Sequence, residues 1–431
     1  VIGNPPWVRL HNVDQRSRDL FARNFVVFRD SAWLAGAQAA AAGRGFAAQV
    51  DLSALFVERS LALAREGGTV ALLVPAKLWR SLSGGGLRTH LLHKTELVEL
   101  HDMTESRQLF DAAVYPSVIV ARRKSLAPSS NGAPSFPGIA VVHRRQSAMH
   151  WPLDAAHLPF DTSPGSPWLI MPPAVREAFN RVRQNSVPLG VSPLGRPLLG
   201  VKTGCNEAFV MTPDATVMIE EDLLRPLHRG ESIRPWKLRA PPERIIWTHD
   251  DRGPLSRLPR HALQWLGKWR RELETRSDAR SAARWWTIFR TESAASSLPR
   301  VAWSDFGRAP RAAVLDANDP TVLLNSCYVA RCPDIEDAYT LAALLNSPII
   351  AAWLNALAEP ARGGYRRYLG WTVSLMPLPG DWSAARDELV PLAKRAISGS
   401  PPDANTLLTA VLKTYRLREC DVEPLLLWNH P

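Results

Sequence analysis

Near its amino terminus the chain reads Val1-Ile2-Gly3-Asn4-Pro5-Pro6-Trp7-Val8-Arg9. Two consecutive prolines fix their φ angles and remove two N–H donors, so the Asn4 side-chain amide and the Asn4 and Pro5 carbonyls are held as rigid acceptors. The indole of Trp7 sets a flat apolar face beside them. Fixed acceptors next to a stacking surface suit a planar group with an exocyclic amine, and a nucleobase is the obvious candidate. An aromatic amine is a poor nucleophile because its lone pair is delocalised into the ring. Accepting both of its N–H protons favours a pyramidal nitrogen, and the benefit grows as positive charge develops during attack on an electrophile. This chemistry needs no metal, acyl intermediate or strong base. Taken alone, the tetrapeptide is better read as a rigid surface turn with a half-buried tryptophan; its context shifts the balance.

Such a turn must be carried by a strand, and Val1-Ile2-Gly3 reads as the end of one. Residues 1–123 alternate between helical and strand patterns. "DLSALFVERSLALAREGG" is an apolar helix with Asp51, Glu58 and Arg65 as a narrow polar stripe, closed by Gly67-Gly68 as a left-handed cap would close it. "TVALLVP" is a buried strand, "GGGLRTHLLHK" a helix, and "ELVELHD" and "PSVIVARR" two more strands. Repetition of this kind predicts an α/β fold with an open, mostly parallel, doubly wound (Rossmann-like) sheet. Ligands of such sheets bind at the carboxyl ends of the strands, where residues 4–7 should lie.

The remaining chain changes character. Residues 124–190 are expected to form a linker and connecting segment, beginning with the Pro/Ser/Gly-rich "SLAPSSNGAPSFPG". Residues 191–380 form a mixed α+β domain, and 381–431 a helical tail with "AARDELVPLAKRAI" and "ANTLLTAVLKTYRL". Thirteen of the 16 tryptophans lie beyond residue 150, and several adjoin arginine, as in Trp269-Arg270-Arg271 and Arg284-Trp285-Trp286. For any one cluster, ordinary packing beneath a snorkelling arginine is the plainer reading.

Composition narrows the partners. The 52 Lys and Arg exceed the 41 Asp and Glu, for a net charge of +11, which suits a polyanion. The four cysteines (Cys205, Cys327, Cys332 and Cys420) include no Cys-x-x-Cys pair and point to a reducing, cytoplasmic setting. No run approaches the roughly 20 apolar residues of a membrane span. His90-x-x-His93 is the nearest approach to a metal pair, and two histidines on a helix surface explain it; no metal site is expected.

With these residues in view, "VIGNPPWVR" resembles the Asn/Asp/Ser-Pro-Pro-aromatic motif of amino-methylating DNA methyltransferases. The downstream order is similar to the N6-adenine enzymes of restriction–modification and phage-defence systems: Asp51-Leu52-Ser53-Ala54-Leu55-Phe56, then Gly67 through Pro75, then "LFDAAVYPSVIV". The resemblance implies that residues 1–123 are the carboxyl-terminal half of a catalytic domain. Asn4 and Pro5 would accept the adenine amino protons, held by Pro6, with Trp7 stacking on one face of a flipped base and Phe110 on the other. Tyr115 is a weaker candidate for the second ring. Asn at the first position favours adenine N6 over cytosine N4, and Trp stands where Tyr or Phe is commoner.

"LLGVKTGCNEAFVM", "LLRPLHRGESIRPW", "RVAWSDF" and "LAALLNSPIIAAWL" are similar, in order, to the target-recognition domain of such enzymes. The implied partners are double-stranded DNA and restriction or defence-system subunits, and the implied cofactor is S-adenosylmethionine. Its Gly-rich turn and acidic residue precede the catalytic motif in the family. They are expected upstream of Val1, leaving residues 1–431 inactive alone; Gly84-Gly85-Gly86 and Gly200 to Gly204 sit in other contexts. Two further readings stay open: a DNA-binding specificity module without its own catalysis, and methylation of a protein glutamine, which uses the same turn.

Overall fold

Seven residues, Thr69–Pro75, follow the Gly67-Gly68 pair as a strand buried along most of its length, and the amino-terminal sheet is organised around it. The computed structural model describes residues 1–30, 32–39, 50–104, 115–125, 139–144, 148–212, 217–240, 243–361 and 364–428. Contacts divide the chain into two compact units: residues 1–184 with 352–367 and 420–431, and residues 185–351 with 368–419.

In the first unit six strands form one sheet: β1 (Ile2–Gly3), β2 (Thr69–Pro75), β3 (Thr95–Asp102), β4 (Pro116–Arg123), β5 (Ile139–Arg144) and β6 (Ala148–Leu153), in the order β1-β2-β4-β3-β5-β6. The pairs β1–β2 and β3–β5 are parallel, whereas β4 runs antiparallel to both its neighbours and β6 is antiparallel to β5. The expectation of a mostly parallel sheet is therefore corrected to a mixed one. A short apolar run such as Ser117–Ala121 carries no information about strand direction. β5 and β6 continue the same sheet beyond residue 123.

The helix expected from Asp51 begins at Ser53 and runs to Leu63. Arg123, the last residue of β4, points its guanidinium at the helix's exposed carboxyl end and donates to the carbonyls of Leu61, Ala62 and Ala64 (3.4, 3.1 and 2.7 Å). A cation there satisfies carbonyls that the helix cannot, and it complements the helix dipole. Gly67, at φ +67°, makes the turn into β2. Glu58 of the polar stripe is not merely solvated: its two carboxylate oxygens accept from the backbone N–H groups of Val26 and Val27 (3.1 and 2.9 Å).

The helix Gly85–Lys94 follows β2 and leads into β3. The core between sheet and helices contains Val57, Leu61, Val70, Leu72, Val74, Leu87, Leu91, Leu100 and Ile119. Trp79 stacks on Trp168 at 5.0 Å, and its indole N–H donates to Ser117 Oγ at 2.8 Å, so a polar atom inside the core is satisfied.

The second unit holds two four-stranded sheets. One joins Val322–Leu323, Leu224–His228, Glu243–Ile246 and Val210–Met211; the other joins Ala312–Leu315, Arg300–Ser304, Cys327–Arg331 and Leu198–Leu199. The helices Ile335–Asn346, Trp382–Ile397 and Ala404–Thr414 are each capped by an aspartate one residue ahead: Asp334, Asp381 and Asp403. The helical tail is present, and its last helix, Glu419–Trp428, lies almost wholly in the first unit. Among the described residues no single helix is long and apolar enough to cross a membrane.

Candidate active site at the carboxyl ends of β1 and β2

Residues 4–7 leave β1 directly. Because β1 and β2 are parallel (Ile2 opposite Ala71, Gly3 opposite Leu72), the turn stands beside the end of β2, where Pro75 leads into Ala76 and Lys77. Antiparallel β4 brings its first residues to the same edge: Pro116 pairs with Pro75, and the Tyr115 carbonyl accepts from Ala76 N at 2.8 Å.

Within the turn the side chains divide as a clamp requires. Pro5 is buried, Asn4 and Pro6 are exposed, and Trp7 is half-buried. The Trp7 indole N–H points to the Leu73 carbonyl of β2 at 3.4 Å, a long contact that orients the ring against the strand. Among the described residues neither the Asn4 side chain nor the Pro5 carbonyl has a hydrogen-bond partner. Two rigid acceptors without partners next to an oriented indole can receive two N–H donors from a planar ligand. Tyr115 is half-buried and packs against the core. Phe110, expected on the second face of the base, lies outside the described residues.

The turn is held from behind by a residue that the sequence reading placed only in a helix's polar stripe and opening motif. Asp51 is 3% exposed. Its Oδ1 accepts from Ser53 N (3.1 Å) and Ser53 Oγ (2.8 Å), and its Oδ2 pairs with Lys77 Nζ at 2.9 Å. Its backbone bridges to Arg9, and Leu52 N donates to Val8 O at 2.9 Å. Asp51 thus ties the exit of the clamp turn, the start of the Ser53–Leu63 helix and the loop after β2. An aspartate just ahead of a helix signals a cap; nothing in the sequence signals its pairing with a lysine 26 positions later. A second pair, Arg80 with Asp102 at 3.5 Å, joins that loop to the end of β3 with both side chains buried.

The glycines test whether the described residues could cradle S-adenosylmethionine. A cradle needs open space over a glycine, and these are filled. A Cβ on Gly84 would stand 2.0 Å from the Leu78 carbonyl oxygen, one on Gly85 2.6 Å from Trp33 N, and one on Gly200 2.1 Å from the Leu324 carbonyl oxygen. These three are glycines of close packing. No group of three His, Cys, Asp or Glu that could hold a metal ion occurs among the described residues.

In the second unit most of the tryptophans are structural. Trp303 is fully buried, and Trp236, Trp247 and Trp286 nearly so. Arg225 lies 4.4 Å over Trp247, Arg270 5.7 Å over Trp285 and Arg284 5.9 Å over Trp286. Arginine–indole packing, with the charge at the rim, is what these clusters supply.

The proline-rigid Asn-Pro-Pro-Trp turn thus stands at the carboxyl edge of the sheet. Residues 1–110 match the family model of the Eco57I restriction-modification methylase, in line with the resemblance seen in the motifs. Over 434 aligned residues the chain is 23% identical to the Type II methyltransferase M.PaeR7I of Pseudomonas aeruginosa, covering 97% of this chain and 70% of the relative. The fold is similar to that of MmeI, a Type IIL restriction-modification enzyme solved in complex with DNA, with a TM-score of 0.58 at 11% identity. The match takes in all of this chain and 55% of MmeI, so the chain spans about half the length of that enzyme. LlaBIII, an ATP-dependent Type ISP restriction-modification enzyme bound to DNA, aligns over 93% of this chain and 30% of its own length, with a TM-score of 0.50 at 10% identity.

Proposed function

We propose that the chain is part of a site-specific DNA methyltransferase that transfers a methyl group from S-adenosylmethionine to the N6 amine of an adenine flipped out of duplex DNA. The observation that carries the proposal is the pair of acceptors, Asn4 and the Pro5 carbonyl, without partners among the described residues, on a rigid turn at the carboxyl edge of the sheet, within the segment that matches the methylase family. The cofactor supplies an electrophilic methyl group. The chain's own residues act on the amine: Asn4 and Pro5 accept its two protons, and Trp7 stacks on the base. Extruding a base costs a few kcal/mol, and aromatic stacking of about 1–3 kcal/mol per base offsets much of it. The second unit, with its arginine-rich surface, is proposed to hold the duplex and read its sequence.

The test is product analysis. The protein, expressed in its natural reading frame, is incubated with methyl-labelled S-adenosylmethionine and DNA of mixed sequence, which is then digested to nucleosides. The proposal expects label in N6-methyladenosine. Label confined to N4-methylcytosine would reassign the base, and label in protein glutamine would replace DNA as the substrate. DNA binding without label in any product would favour a specificity module.

A further inference from the structure

The second unit contains a short hairpin whose outer face its own packing does not explain. The strands Ile233–Arg234 and Lys237–Leu238 pair antiparallel around the turn Pro235-Trp236, with Ile233 opposite Leu238 and Arg234 opposite Lys237. Side chains alternate between the two faces of such a ribbon. Ile233 is fully buried and Leu238 packs beside it, in a cluster with Ala302, Ala313, Leu315 and Val329. Arg234 and Lys237 therefore share the outer face, where Lys237 is exposed and Arg234 half-buried.

The ribbon is held rigidly. Trp236 stands at φ +72°, a left-handed conformation that bulky side chains avoid. Its side chain is buried, and its backbone N–H donates to the Ala312 carbonyl at 2.7 Å. That contact brings Arg311, the residue before Ala312, beside the ribbon. At the other end the Arg239 N–H donates to the Ser232 carbonyl at 3.0 Å. The Arg234 guanidinium is oriented by the carbonyls of Glu231 and Ile233, to which it donates at 2.7 and 2.9 Å.

Like charges directly opposite on a ribbon destabilise it, and here two more cations stand close by. Burial lowers the Arg234 pKa, and repulsion from Arg239 and Arg311 lowers it further. Among the described residues Arg234, Lys237, Arg239 and Arg311 have no carboxylate within ion-pair distance. The neighbouring acids serve another cation: Glu243 pairs with Arg229 at 2.7 Å, and Glu231 attracts the same arginine. A strained backbone that gathers unneutralised like charges is a feature of sites that grip a ligand. The ligand that relieves this repulsion is an extended polyanion, because three of the four cations stand exposed on the surface. Duplex DNA, with a negative charge every ~1.7 Å of its axis, has that form. We propose that Arg234, Lys237, Arg239 and Arg311 grip the phosphate backbone of the duplex without reading its sequence. The inference rests on the reading of the second unit as the part that holds DNA. It assigns this hairpin to positioning, since contacts to phosphates fix register and orientation but carry no base information.

The test uses the protein expressed in its natural reading frame and labelled duplexes of several unrelated sequences, titrated across a salt series. The variants are Lys237→Gln and Arg311→Gln, singly and together. Both side chains are exposed and make no hydrogen bond or ion pair among the described residues, so their loss should leave the melting temperature unchanged. Arg395→Gln serves as the control, removing the same charge from the exposed side of the helix Trp382–Ile397.

Each hairpin substitution should weaken binding to all sequences alike and reduce the slope of log affinity against log salt by about 1, and the pair by about 2. Arg395→Gln should leave both quantities as they were. Duplex binding with an unchanged slope in the folded double variant overturns the grip while the reading of the second unit stands, and so does an equal loss in Arg395→Gln. Weakening confined to one sequence makes the contact a base contact and overturns the grip as well. An unaltered protein that binds no duplex at any salt overturns the reading of the second unit and the grip with it.

Discussion

Replacing Asp51 with alanine should loosen the Asn-Pro-Pro-Trp turn without touching any residue proposed to meet the base. The magnitude follows from its partners. Its carboxylate is buried, and removing it leaves the Ser53 N–H without an acceptor, a loss of about 1–3 kcal/mol. The Ser53 hydroxyl can rotate to another acceptor, so it adds little. Lys77 has a side chain 36% exposed, so its ammonium returns to water and the lost pair is worth about 1 kcal/mol or less. The sum, roughly 1–4 kcal/mol, should lower the melting temperature by roughly 2–15 °C for a unit of this size. Asp51→Asn keeps an oxygen for Ser53 and loses only the pairing with Lys77, so it should cost about 1 kcal/mol. The assay is urea unfolding of the three proteins together with amide exchange at Leu52, which donates to the Val8 carbonyl just beyond the turn. Protection of Leu52 should fall in Asp51→Ala and survive in Asp51→Asn. Equal destabilisation by the two substitutions, or unchanged Leu52 protection in the alanine protein, would refute the three-way tie.

Other expectations can be checked with similar means. Gly85→Ala would press a methyl against the backbone of Ala32 and Trp33, at 2.6 Å from the Trp33 nitrogen, and should destabilise by about 1–3 kcal/mol in thermal melts while leaving affinity for S-adenosylmethionine unchanged. A stable Gly85→Ala protein with weakened cofactor affinity would make this glycine part of a cradle after all. Burial holds His249 down at about 4, below its ordinary value near 6.5. Between those values the unfolded chain binds the proton and the folded one does not. This contribution to stability is therefore complete above pH ~6.5, falls as the pH drops toward 4, and is constant below. His249→Gln should flatten that part of the stability–pH curve in urea titrations, and an unchanged slope would remove His249 from the account.

Much of the amino-terminal unit was legible because its signals are local. The strand Thr69–Pro75 coincides with an apolar run behind paired glycines, and the Gly85–Lys94 helix and the Thr95–Asp102 strand fall where the pattern put them. The direction of β4 was not legible, since an apolar strand buried on both faces reads the same either way. Contacts between distant positions were equally silent. Asp51 with Lys77, Arg80 with Asp102, and Trp79 on Trp168 each join residues whose spacing carries no periodic signal.

The Trp–Arg clusters pack as the plainer reading expected, though only some partners are sequence neighbours: Arg284 covers Trp286, whereas Arg225 covers Trp247 and Arg270 covers Trp285. Of the clamp, Asn4, Pro5, Pro6 and Trp7 were legible as one contiguous turn whose geometry two prolines dictate.

The most direct test of the clamp is the methyl-transfer rate of Asn4→Ala, measured beside its affinity for DNA, in the protein expressed in its natural reading frame. Asn4 is exposed and has no partner among the described residues, so the substitution should leave folding and duplex binding intact. Removing one of two acceptors aimed at a developing charge should lower the rate by about 100-fold or more. Retention of the native rate by a folded, DNA-binding Asn4→Ala protein would contradict the assignment of this turn as the site that activates the amine.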